Sequence, residues 1–303
     1  MNTVKNYLSL IKFSHTIFAM PFAMIGFFLA VKLFRGSASG SIDYQQAFQQ
    51  DASRPLWLLF LLVLCCMILA RSAAMAFNRY LDRHFDARNP RTALREIPAG
   101  IISADRALYF TLLSSIGFII CSYYINPLCF FLSPVALAVI LGYSYTKRFT
   151  ALCHLVLGLG LSLAPIGAYL AVTGRFNLVP ILFSFSVIFW VSGFDIIYAL
   201  QDEDFDRQQG LHSIPASLGK ERALNVSSLL HVASTACVIA AGYLGGFGWL
   251  YACGLVVFAG MLIYQHSIVK PNDLSRVNLA FMTANGIASV VFAIFTIADM
   301  FLL

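Results

Sequence analysis

The chain has 303 residues, 59% of them hydrophobic and 11% charged; a soluble domain carries about 25% charged residues, so a polytopic membrane protein is expected instead. The formal charge of +6 is spread over separate short loops, which argues against a nucleic-acid partner. The seven Cys all lie in apolar runs, none as C-x-x-C, and read as small buried hydrophobes rather than a metal or disulfide framework.

A helix needs about 20 apolar residues to cross the hydrocarbon core. Nine spans are predicted, in chain order 14–34, 55–77, 107–125, 128–146, 151–172, 180–200, 223–244, 247–265 and 277–302. Together they make one transmembrane domain over 1–303. The first, behind Lys5 and Lys12, is too long for a signal h-region and is expected to be a retained helix. Asn126-Pro127 separates the third from the fourth, and Gly245-Gly246 the seventh from the eighth. With the N-terminus in the cytoplasm, most of the 20 Lys and Arg fall on cytoplasmic segments, while Lys32, Arg35, Arg54 and Arg175 lie outside. That asymmetry sets the orientation. Trp57 and Trp249 stand near outer span ends, as interface anchors do.

The second span runs into Asn78-Arg-Tyr-Leu-Asp82-Arg-His-Phe-Asp86. On a helix these three side chains share one narrow stripe. Two carboxylates one turn apart repel, and close to lipid they require compensation. Alone, the stretch reads as a solvated helix end paired to Arg79 and Arg83. The sixth span, however, ends in DIIYALQDEDFD, which puts Asp195, Tyr198, Asp202 and Asp206 on a similar stripe. The sequels rhyme too: Ile97-Pro-Ala with Ile214-Pro-Ala, and Ala104-Asp-Arg-Ala with Lys220-Glu-Arg-Ala. The offsets are 120 residues for the acids, 117 for Ile-Pro-Ala and 116 for the next helix start. This is an internal repeat that gathers carboxylates at one cytoplasmic mouth. Oxygen-only ligands suit a hard cation, Mg²⁺ in particular, held by one or two carboxylates plus substrate phosphates. A mouth open to lipid suits a diphosphate with a lipid tail. A cation-coupled transporter is the alternative from another class, though carriers place their acids near the midplane. CDP-alcohol phosphotransferases also use Asp stripes, but their D-G-x-x-A-R core is absent.

The pattern resembles the UbiA superfamily of intramembrane prenyltransferases. Arg71 to Asp86 matches its N-x-x-x-D-x-x-x-D with an upstream Arg. Asp195 to Asp206 matches its D-x-x-Y-A-x-x-D-x-x-x-D, and Tyr143 to Arg148 its Y-x-x-x-K-R. The strings N-P-R-T-A-x-R-E-I-P-A-G, C-H-L-V-L-G and Q-D-E-D-F-D are similar to the 4-hydroxybenzoate branch. They are similar also to its relatives, including the dihydroxynaphthoate prenyltransferase of the futalosine route to menaquinone. The resemblance implies an all-α fold of nine transmembrane helices around a central cavity, in contact with membrane lipid. It implies two Mg²⁺ ions, a polyprenyl diphosphate donor and a phenolic aromatic acid acceptor, in ubiquinone or menaquinone synthesis. It implies a bacterial inner (cytoplasmic) membrane enzyme with its site facing the cytoplasm. Carried over by position, Asn78, Asp82 and Asp86 serve one metal, and Asp202 and Asp206 the other. Arg71, Lys147 and Tyr198 contact diphosphate, and Tyr143 binds substrate. Asp195, about 10 Å deeper by helix rise, faces the acceptor hydroxyl, and Arg148 suits its carboxylate. Asp82, Asp202, Asp195 and Arg148 are the expected catalytic set. His15 and His154 are expected to be packed, hydrogen-bonded histidines.

Overall fold

The computed structural model describes residues 3–11, 19–37 and 55–303. His15 and most of the outer loop 35–54 lie outside the described residues. Among the described residues twelve α-helices succeed one another: α1 (Thr3–Leu10), α2 (Met20–Ser37), α3 (Leu56–Arg88), α4 (Ala104–Ile125), α5 (Pro127–Thr146), α6 (Cys153–Thr173), α7 (Leu178–Ala199), α8 (Glu203–Gln208), α9 (Ile214–Leu218), α10 (Lys220–Gly245), α11 (Trp249–Ile268) and α12 (Asn285–Leu302). Among the described residues eight helices are long and apolar enough to span a membrane. α2 occupies the first predicted span, whose beginning lies outside the described residues.

Local chemistry sets the helix ends. α3 stops at Asn89, whose extended backbone (φ −91°, ψ 118°) is what a residue before proline adopts. Ser103 caps α4 by accepting from Arg106 N–H. Asn126 caps α5 through Cys129 N–H, while its amide donates to Leu170 O and Ala171 O at the far end of α6. One side chain thus joins three helix ends. α4 and α10 begin at Ala104 and Lys220, the 116-residue offset read from the repeat.

The helices pack as neighbours in the order α3, α4, α5, α6, α7, α10, α11, α12, and α2 lies between α6 and α12. Small residues allow the close approaches that membrane helices use in place of a hydrophobic drive. A Cβ at Gly26 would come within 2.1 Å of Pro165 O, and one at Gly158 within 2.5 Å of Ile188 O. An aromatic cluster of Phe22, Trp190, Phe258 and Phe292, with ring centroids 5.3–6.2 Å apart, ties α2, α7, α11 and α12 together. These geometries add to the area buried.

Candidate active site

Asn78, Asp82 and Asp86 occupy successive turns of α3, and Asn78 Nδ2 donates to Asp82 Oδ2 at 3.1 Å. Asp82 and Asp86 are only 2% and 5% exposed. A buried carboxylate is costly unless it is paired, and basic side chains from three segments pair these. Lys147 Nζ lies 2.8 Å from Asp82 Oδ2, and Arg148 3.7 Å from its Oδ1. Arg95 lies 2.7 Å from Asp86 Oδ1, and Arg79 3.9 Å from its Oδ2. Arg83 turns instead to its own helix, donating to Tyr80 O and covering the Tyr80 ring.

The second motif is not one continuous α-helix. α7 ends at Ala199, and Leu200–Asp202 forms a 3₁₀ turn before α8. The Leu200 N–H reaches Ile197 O and Tyr198 O, and its side chain buries against Ile196, Ile197 and Ile214. Three residues per turn in place of 3.6 changes the angular spacing between Asp195 and the two later acids. Asp202 is held by the loop that succeeds the first motif. Arg91 forks onto it, with Nε 2.8 Å from Oδ1 and Nη2 on Oδ2, and Asn89 Nδ2 donates to Oδ1 at 3.0 Å. The third arm of Arg91 donates to Tyr198 OH at 3.0 Å. Burial alone would lower the Arg91 pKa, but hydrogen bonds and attraction from Asp202 and Tyr198 raise it above its ordinary value. The charge of Lys147, which pairs with Asp82, also acts on Asp206.

Asp195 lies on α7 with its side chain 25% exposed, and its Oδ2 is 2.7 Å from His154 Nδ1. His154 is buried and accepts at Nε2 from the Ile214 N–H, 3.3 Å away, which matches the packed, hydrogen-bonded histidine expected there. Arg148 donates to Leu81 O at 2.9 Å and sits over the Phe85 and Tyr145 rings. The partners of Arg148 therefore lie on α3 and α5, whereas that of Asp195 lies on α6. The structure does not bring these two residues into one contact.

An apolar cavity of about 390 Å³ lies between α3, α4, α5 and α6. Arg71 and Tyr143 stand at the end nearer the acids, and Cys129, Leu170 and Phe176 at the other. Arg71 Nε is buried without a hydrogen-bond partner. Among the described residues, no three His, Cys, Asp or Glu side chains converge into a metal cage. Asp82 Oδ1 and Asp86 Oδ2 are nonetheless buried without a hydrogen bond. Each faces only a guanidinium at 3.7 and 3.9 Å, and two such oxygens on adjacent turns fit a cation that takes few protein ligands and completes its shell from substrate and water. Asn89, Arg91 and Arg95 reach these acids although the motif spacing did not single them out. Their signal was the run Asn-Pro-Arg-Thr-Ala-Leu-Arg directly after the first acids.

An all-helical membrane bundle with paired acidic motifs at one end of an apolar cavity defines the class. Residues 46–287 match the UbiA prenyltransferase family, and the chain belongs to that family and is a prenyltransferase. The 4-hydroxybenzoate octaprenyltransferase of Tolumonas auensis is 30% identical over 243 residues, covering 80% of this chain and 85% of the relative. A UbiA homologue from Aeropyrum pernix K1, solved in its apo form, superposes with a TM-score of 0.76 at 29% identity, covering 95% of this chain and 97% of that one. A UbiA homologue from Archaeoglobus fulgidus, solved with DMAPP and Mg²⁺, shares the fold at 19% identity with a TM-score of 0.66, covering 98% and 100%. The transporter alternative finds no support in these likenesses.

Proposed function

We propose that the enzyme transfers a polyprenyl group from polyprenyl diphosphate to a phenolic aromatic acid, 4-hydroxybenzoate or a dihydroxynaphthoate, at the cytoplasmic face of the bacterial inner membrane. The observation that carries this reading is the closure of the Asn89–Arg91 loop on Asp202 in a bundle that also holds an apolar cavity with Arg71 and Tyr143 at its end. The name of the Tolumonas relative supports the acceptor class, and the Archaeoglobus homologue supports a prenyl diphosphate with Mg²⁺.

Asn78, Asp82 and Asp86 would hold one Mg²⁺, and Asp202 and Asp206 a second. When bound, Mg²⁺ neutralises the diphosphate and makes it a better leaving group. The chain's own residues do the rest. Lys147 and Tyr198 would donate to phosphate oxygens, and Arg91 and Arg95, which pair with Asp202 and Asp86, would be further cations for them. Arg71 and Tyr143 meet the anionic end of a substrate whose apolar tail occupies the cavity. The prenyl C1–O bond breaks with its electron pair passing to diphosphate, the aromatic carbon supplies the electron pair of the new C–C bond, and the ring then gives its proton to the released diphosphate. Asp195 accepts a hydrogen bond from the acceptor hydroxyl and so raises ring electron density. Excluding water keeps the allylic cation from hydrolysis. Arg148 remains the candidate for the acceptor carboxylate.

The test is product formation. Purified protein with labelled prenyl diphosphate and a panel of aromatic acids should yield a C-prenylated phenolic acid by mass spectrometry. No prenylated product from any phenolic acid, or transfer only to acceptors without a carboxylate, would overturn the reading.

A further inference from the structure

Behind Tyr198 the last helix is not regular. Leu279–Ala284 forms a π-helical turn before α12, a rare conformation that recurs at functional sites. A buried polar triad holds it. The Asn285 backbone N–H bonds to Met282 O, and its side-chain amide takes the carbonyls of Ala280 and Phe281 at 3.3 and 3.0 Å. Asn285 Oδ1 accepts from Trp190 Nε1 and from Gln265 Nε2, both at 2.8 Å. Asn285, Trp190 and Gln265 are fully buried. Polar groups at membrane depth are costly and tend to serve function. An apolar trio would fill the same space within a regular helix.

The product of the turn is the place of Phe281. Its ring lies 4.3 Å from that of Tyr198 and edge-on to Phe194 at 5.5 Å. Tyr198 in turn receives Arg91 at its hydroxyl and beneath its ring, 5.2 Å from the centroid, and Arg91 forks onto Asp202. We propose that Phe281, set by the Asn285-stabilised π turn, is a positioning residue that fixes the Tyr198 hydroxyl and through it the Arg91–Asp202 pair for donor binding. The inference rests on reading Tyr198 as a contact of the donor diphosphate.

The test is calorimetric titration of the full chain in detergent with a non-hydrolysable prenyl thiodiphosphate and Mg²⁺. One buried hydrogen bond of ordinary strength corresponds to about a five- to tenfold change in Kd, and that rise is expected for Tyr198→Phe and for Phe281→Leu. In the Tyr198→Phe background, Phe281→Leu should add less than about twofold, because no hydroxyl remains to be placed. Phe281→Tyr, which keeps the ring, should bind as wild type. Phe281→Leu should raise the donor KM and leave the acceptor KM unchanged, a split that general loosening of the bundle does not produce. Asn285→Leu should reproduce Phe281→Leu where it folds; the Phe281 variants decide the matter alone where it does not. Weakened binding in Tyr198→Phe but not in Phe281→Leu, or full additivity of the two, overturns the positioning role and leaves the donor site standing. Unchanged binding in Tyr198→Phe removes Tyr198 from the donor site, and the inference with it.

Discussion

His154 Nδ1 lies 2.7 Å from Asp195 Oδ2 while its Nε2 faces the backbone N–H of Ile214 at 3.3 Å. A backbone N–H can only donate, so Nε2 carries the lone pair and the proton is on Nδ1, given to Asp195. The imidazole is thereby committed on both sides. It orients the carboxylate and has no free nitrogen to act as a base.

Asp195 should therefore separate from the metal-binding acids. Asp195→Asn is expected to bind the thiodiphosphate analogue with Mg²⁺ about as wild type does, yet fail to couple the prenyl group to the ring. Slow diphosphate hydrolysis is the expected side reaction, as water captures the cation. If Asp195→Asn lost analogue binding as fully as Asp202→Asn, Asp195 would belong to the metal site instead.

Asp82→Asn and Asp202→Asn should each lower kcat by about 10²-fold or more, the scale of losing one group that stabilises developing charge. The two motifs act as a unit, since the Asn89–Arg91 loop that succeeds the first holds Asp202 of the second. Steady-state kinetics at saturating Mg²⁺ decide. Near wild-type kcat in either variant would make that motif structural.

Eight of the nine predicted spans and the stripe of Asn78, Asp82 and Asp86 were legible because each rests on local periodicity, and the repeat because the same short strings recur. The ion pairs were not. Arg95 reaches back to Asp86 and Arg91 across to Asp202, and spacing along a chain does not say where a loop folds. The 3₁₀ turn at Leu200–Asp202 carries no Gly or Pro to announce it. It arises from burying Leu200 between helices, which is a tertiary cause. The π turn is hidden likewise, since its stabilisers Trp190 and Gln265 come from α7 and α11. His154 could be read as packed from its apolar neighbours, but its partner Asp195 is on another helix.

At the opposite end of the bundle, Asp299 of α12 caps α11 from outside. Its carboxylate accepts from Gly248 N–H at 2.7 Å and Tyr251 N–H at 3.1 Å, the role an N-cap side chain plays and one Gly248 cannot play itself. Asp299→Ala should cost about 1–2 kcal/mol of stability, seen as a lower thermal midpoint in detergent. Turnover per folded molecule should be unchanged. An unaltered midpoint would show that water replaces the cap without loss.

Arg91 offers a test of metal binding that does not depend on turnover. Its fork neutralises Asp202 in the absence of metal, and its raised pKa keeps it cationic throughout the working pH range. Removing it in Arg91→Ala leaves a largely buried carboxylate without its counter-ion, which is destabilising. A cation that binds the folded state alone raises stability in proportion to its affinity there. In the wild type Mg²⁺ must compete with Arg91 for Asp202; in Arg91→Ala it need not. The variant should therefore have a lower thermal midpoint than wild type after chelation, and Mg²⁺ should raise that midpoint by more than it does in wild type. Adding Asp202→Asn to Arg91→Ala should abolish the extra gain, since no charge is left to satisfy. An equal Mg²⁺ response in wild type and Arg91→Ala would mean that Asp202 does not take the metal. The Arg91–Asp202 pair would then be a structural clasp between the two halves of the repeat.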